Sequence, residues 1–266
     1  EELDNQDVRL IEVTYKRFIR NGASLNDENK EKIRKIDEKL SLLSPKFSNN
    51  VLNAQNKFEL WVDNENDLLG LPESSVSMAK QEAKQKNQPE KWLFTLQYPS
   101  MGPFLSYAKN RELRKELYLA YGSLCNNDEF SNTEVVKEIV QLKHKRANLL
   151  GYNTFADYVL DDRMAGSVEN VYGLLDDLYD NCYEKAKIEL NNIKDFAKKL
   201  DNIDDFKPWD QSYYFTKLQK EKFNIDPEML RPYFKAENVI DGIFKVANKM
   251  YGIKFKKLNN LDTWHK

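Results

Sequence analysis

Ten apolar residues, Val168, Val171, Leu175, Leu178, Cys182, Ala186, Leu190, Ile193, Ala197 and Leu200, recur at unbroken steps of three and four. That spacing lays one ridge along a helix and fits no strand, whose period is two. Ser167, just ahead of the ridge, offers an oxygen for an orphan amide of the first turn. So long a ridge needs partner helices, which narrows the fold to helix packed on helix. Ile33, Ile36, Leu40, Leu43, Phe47 and Val51 repeat the pattern, with Pro45 predicting a kink near Leu42. Leu10, Val13, Tyr15, Phe18 and Ile19 mark an earlier helix stopped by Gly22. Val239, Ile240, Ile243, Phe244, Ala247 and Met250 mark a last one, closed by Gly252.

Against this background two short runs alternate. Lys57 to Asp63 and Trp92 to Tyr98 predict a small β-ribbon, at about 57-63 and 92-98, which must pack on helices because two strands alone are marginal. A polar helix from about Glu73 to Lys86, opened by Pro72, lies between them. Ser131 and Glu134 have capping-box spacing and open a helix that Gly151 would end. Asp226, Pro227 and Glu228 start a short helix ending near Pro232. Ile253 and Phe255 alternate with lysines and predict a terminal strand at about 253-258, whose pairing neighbours would lie beyond the chain. The fold class is mainly α, a multi-helix lobe with a small ribbon. With no repeat period and no low-complexity linker, residues 1-266 read as one lobe without an internal boundary.

Charge excludes some partners. Forty-one Lys and Arg against 43 Asp and Glu give a net charge of -2, which argues against nucleic acid or an anionic membrane surface. No apolar run approaches the roughly 18 residues of a membrane span. The start, Glu1-Glu2-Leu3-Asp4, has no signal-peptide character, so the default compartment is the cytoplasm; a removed leader would make the protein periplasmic or exported. Cys125 and Cys182 fall within helical patterns and are expected to be buried small side chains, without a disulfide framework.

Most familiar chemistries fail on spacing. A zinc-binding H-E-x-x-H needs two imidazoles one turn apart, but His144 precedes Lys145, Arg146, Ala147 and Asn148. The second histidine, His265, lies far along the chain, and the pair has no organised third ligand. Asp63, Glu65 and Asp67 mimic the start of a calcium loop, yet Leu68 and Ser74 occupy the glycine and glutamate positions. No glycine cluster cradles phosphate and no G-x-S-x-G elbow presents a serine. The basic run Lys143 to Arg146 suits the end of a helix dipole.

One group is different. Trp209, Asp210, Tyr213 and Tyr214 precede an amphipathic stretch, and Arg231, Pro232 and Tyr233 follow it. Asp210, Tyr213, Tyr214, Arg231 and Tyr233 are candidates to line a peptide cleft, with hydroxyl and guanidinium donors for carbonyls or a carboxylate. The same residues also suit aromatic packing between helices, with Asp210 as an N-cap.

Taken together these stretches resemble the thimet oligopeptidase and peptidyl-dipeptidase family of zinc metallopeptidases, over nearly the whole chain. The resemblance rests on Arg9-Leu10 through Tyr15, Phe18 and Gly22-Ala23; Phe58-Glu59-Leu60; Leu71-Pro72-Glu73; Phe94-Thr95-Leu96; and Asn110 to Arg114. It continues in Leu150-Gly151-Tyr152, Phe155 to Tyr158, Arg163-Met164-Ala165, Trp209-Asp210 with Tyr213-Tyr214, Arg231 to Phe234, and Trp264-His265. It implies a two-lobed, mostly helical ellipsoid with zinc at the floor of a deep channel. In such a family Trp-His precedes the H-E-x-x-H helix, so the chain is expected to stop before the catalytic half, with some sequence missing at its start. No catalytic residue and no metal ligand is then expected within this chain; zinc would belong to the parent enzyme and none to the fragment. The implied role is to wall the channel so that only short unstructured peptides reach the metal, with the missing C-terminal catalytic half as partner. The fragment alone is expected to be inactive, and the matching stretches lean toward the peptidyl-dipeptidase branch. The competing reading is a non-enzymatic helical binding module or adaptor using an aromatic groove. A relative whose downstream half lost its metal ligands is a further alternative.

Overall fold

Ile33 and Ile36 are buried on α2 (Asp27–Lys57), a long helix that Asn26 caps by accepting the Asn29 N–H and that runs through Pro45. The computed structural model describes residues 3–126, 129–224, 226–258, 261 and 264. Before α2 comes α1 (Asn5–Arg20), capped by Asp4 and without a buried residue. After α2 the chain forms β1 (Leu60–Val62), a 3-10 turn at Glu65–Leu68, α3 (Glu73–Gln85) and β2 (Trp92–Phe94). Then follow α4 (Tyr98–Tyr107), α5 (Arg111–Gly122), α6 (Thr133–Leu149), α7 (Phe155–Leu160), α8 (Val168–Asp201) and α9 (Pro208–Phe223). A 3-10 segment at Pro227–Tyr233 leads to α10 (Ala236–Tyr251).

The strands pair antiparallel, with Leu60 opposite Phe94 and Val62 opposite Trp92. The ribbon is shorter than its sequence alternation because Phe58 caps α2 at one end and α4 begins at Tyr98 at the other. Its inner face packs with Leu68, Ala79, Met101, Phe104 and Leu117 into one core, where the Phe94 and Phe104 rings meet edge-to-face at 4.6 Å. Elsewhere α2 packs on α6, and α6 on α7.

Packing divides the chain into two compact units, Glu1–Tyr214 and Phe215–Lys266, and the division falls within α9. No compositional linker marks it, since helical residues run through it.

Several local expectations change. The terminal strand at 253–258 does not form among the described residues. A strand takes its bonds from a neighbour; here the Ile253 carbonyl accepts from Asn248 Nδ2, and Phe255 stacks on Phe244 at 4.2 Å. The box at Ser131 is also absent: the cap is Asn132, whose amide instead donates to Phe47 O and accepts from Asn50 on α2. A full capping box forms at Thr154 and Asp157, opening α7. Cys125 is buried but lies past the end of α5 with φ +57°, and Cys182 is exposed on α8. His265 lies outside the described residues.

Candidate functional site

Asp210 stands at the third position of α9, after Pro208 at the first, where a fixed φ is already helical. From there its carboxylate reaches back to the Lys207 N–H at 3.0 Å, so it closes the helix from inside rather than as the N-cap expected from sequence. It is fully buried. Two arginines of α5, one turn apart, meet it: Arg114 Nη2 donates to Oδ1 at 3.0 Å and Arg111 Nη2 to Oδ2 at 2.7 Å. Arg111 Nε adds bonds of 3.0 and 3.2 Å to the same two oxygens. Burial pushes the Asp210 carboxyl up, but the bonds from Arg111, Lys207 and Arg114 outweigh it and hold the group below its ordinary value.

Arg114 is itself 1% exposed, and its remaining donors are used. Nη1 donates to the carbonyls of Ala108 at 2.7 Å and Lys109 at 3.2 Å, and Nε to Trp209 O at 3.3 Å. Its guanidinium lies 4.1 Å from the Tyr213 ring centre. Tyr213 and Tyr214, both buried, meet edge-to-face at 5.0 Å. The Tyr214 hydroxyl donates to Asp201 Oδ2 at 3.0 Å, and burial followed by that carboxylate raises its pKa. The cluster therefore ties α5, the end of α8 and the start of α9 together. A carboxylate saturated in this way positions its neighbours; it offers no free lone pair for abstracting a proton.

Arg231 and Tyr233 belong to the second unit, in the 3-10 segment. Arg231 holds Glu228 with bonds of 3.0 and 3.1 Å, while the Tyr233 side chain stands open to solvent. The five sequence candidates thus fall into a buried trio and an exposed pair. Arg111 and Arg114 were given no role from sequence. A signal was present: an arginine among the apolar positions Leu113 and Leu117 of a helix must find a buried acceptor.

The resemblance implies zinc for the parent enzyme, and the described residues offer no ligand set for it. Among the described residues no three His, Cys, Asp or Glu side chains gather as a metal requires, and His144 is exposed on α6.

Comparison with known proteins bears on the whole segment. The family model described as Peptidase family M3 matches residues 104–266. Oligopeptidase A of Haemophilus influenzae is 34% identical over 263 residues, covering 97% of this chain and 38% of the relative. An organellar oligopeptidase A of Arabidopsis thaliana is 35% identical over 95% of this chain and 33% of its own length. Dipeptidyl carboxypeptidase of Escherichia coli is 28% identical over 99% of this chain and 39% of its own length. The chain thus spans between a third and two-fifths of these relatives.

Proposed function

Because this chain belongs to peptidase family M3, we propose that it is the channel-walling part of a longer zinc peptidase that hydrolyses short, unstructured peptides. The observation that carries this reading is likeness to oligopeptidase A along 97% of the chain. Of the two activities in the relatives' names, oligopeptide cleavage is preferred over dipeptide release, since identity to oligopeptidase A is 34% against 28% to the dipeptidyl carboxypeptidase. That reverses the lean taken from the motifs alone.

In this reading Asp210, Tyr213 and Tyr214 hold the wall of the first unit in place, and within the second unit Arg231 and Tyr233 are exposed side chains able to meet a peptide. Zinc and the groups that hold it belong to the rest of the protein. Exposed apolar side chains on α1 (Leu10, Phe18), α8 (Leu174, Leu178) and α10 (Ile243, Met250) support a further mass of protein against these faces, the catalytic half being the partner assigned here. Among the described residues no helix is long and apolar enough to cross a membrane. A cytoplasmic location goes with this reading, and a periplasmic or exported one would follow from a removed leader.

The test compares the full-length protein with residues 1–266 on a fluorogenic oligopeptide of about ten residues. Full-length protein should cleave it, lose activity to a chelator and regain it with zinc, while residues 1–266 stay silent. Zinc-dependent cleavage by residues 1–266 alone would overturn the assignment of chemistry. Tight peptide binding without cleavage by the full-length protein would move the reading to a binding module.

A further inference from the structure

Within the first unit a cleft of about 580 Å³ opens between α1 and the end of α7. Arg9, Lys16, Arg17 and Arg20 of α1 line it, with Arg163 from the turn after α7, against the carboxylates of Glu12 and Asp162. A chain of net charge -2 has no general excess of cations, so this grouping is local.

The pairing within the cleft leaves charge over. Arg20 is fixed: it is paired with Asp161, donates to Tyr158 O at 2.6 Å, and its side chain is 11% exposed. Arg9 pairs with Glu12 at 3.2 Å and Lys16 with Asp162 at 3.7 Å, both across solvent-exposed contacts worth little to the fold. Arg17 and Arg163 have no ion pair among the described residues. Two guanidinium forks without an ion pair and two loosely held cations thus line one concave space, where their attractions for an anion add. Guanidinium forks match carboxylate and phosphate oxygens two at a time.

We propose that this cleft binds a small oxyanion ligand with two or more negative charges, either the carboxylates of a short acidic peptide or a diphosphate. The site is separate from the Asp210 cluster and does not depend on the peptidase reading.

Titration calorimetry of the chain in low salt, once with a tetraglutamate peptide and once with inorganic pyrophosphate, tests it. Binding of at least one probe is expected. The double variant Arg17→Gln, Arg163→Gln should weaken it about a hundredfold, because each of the two lost charge-assisted bonds is worth about tenfold. Gln is a good helix former and both positions are exposed, so the fold should survive; an unchanged melting temperature checks this. Lys185→Gln, which removes an exposed cation of α8, should leave binding unchanged. Binding of the peptide alone assigns carboxylates as the ligand, and binding of pyrophosphate alone assigns phosphate. Absence of binding by both probes, or equal binding by the double variant, overturns the proposal.

Discussion

Arg114 and Asp210, separated by 96 positions in sequence, form a 3.0 Å ion pair whose members are 1% and 0% exposed. Such a pair is weak as a net source of stability, because both ions lose water on folding; removing one partner is the expensive event. Asp210→Ala strands two arginines at once. It should destabilise the protein by about 3–5 kcal/mol, read as a lower urea midpoint at unchanged slope. Asp210→Asn, which keeps the shape and part of the acceptor capacity, should lose less.

The same cluster sets both ends of a pH profile. Asp210 is held below the ordinary carboxylate value, so the stability it confers is fully present above about pH 4 and is lost as pH falls through the lower folded value. Tyr214 is shifted the other way, by burial and then by Asp201. Its contribution is complete below the free phenol's pKa of about 10 and declines as pH rises toward the higher folded one. Thermal melts across pH should show a flatter acid limb in Asp210→Asn and a flatter alkaline limb in Tyr214→Phe. An unchanged acid limb in the first variant would remove Asp210 from this role.

Gly70 separates two kinds of glycine cost. Its φ is +92°, and an added Cβ would stand 2.3 Å from the Tyr107 carbonyl oxygen, beside the bond from Lys109 N to Leu69 O. Gly166 has a similar φ of +72° but open space around it. Gly166→Ala should cost about 1–2 kcal/mol, the penalty of a left-handed residue alone. Gly70→Ala should exceed that clearly, since backbone must move, and a paired urea denaturation of the two variants measures the difference.

Helix existence was legible because periodicity is local: Ser167 and the ridge behind it place α8, and Ile33 and Ile36 place the buried face of α2. How far a ridge is buried was not legible. Of the ten ridge residues on α8 only Ile193 and Ala197 are buried, because burial depends on what packs opposite. The ribbon lost its ends to competing helix termini at Lys57 and Tyr98. Ser131 lost its box because Asn132 found partners on α2, a tertiary bond that no four-residue pattern contains. Asp210 was found as a polar residue among aromatics, yet its arginines sit nearly a hundred positions earlier, and one chain gives no measure of which distant charge meets which.

Arg231 and Tyr233 make the last prediction, which separates substrate contact from folding. Both are exposed, and among the described residues Arg231 engages only Glu228, one turn earlier in the 3-10 segment. Arg231→Ala and Tyr233→Ala should therefore shift stability by no more than about 0.5 kcal/mol. If they meet the peptide as proposed, the full-length protein should show a KM raised about three- to tenfold on short peptides with kcat little changed, the pattern of lost uniform binding. A drop in kcat at constant KM would assign them instead to an interaction made only in the transition state. Wild-type values for both constants would take the pair off the channel wall, leaving the wall to side chains of the rest of the protein.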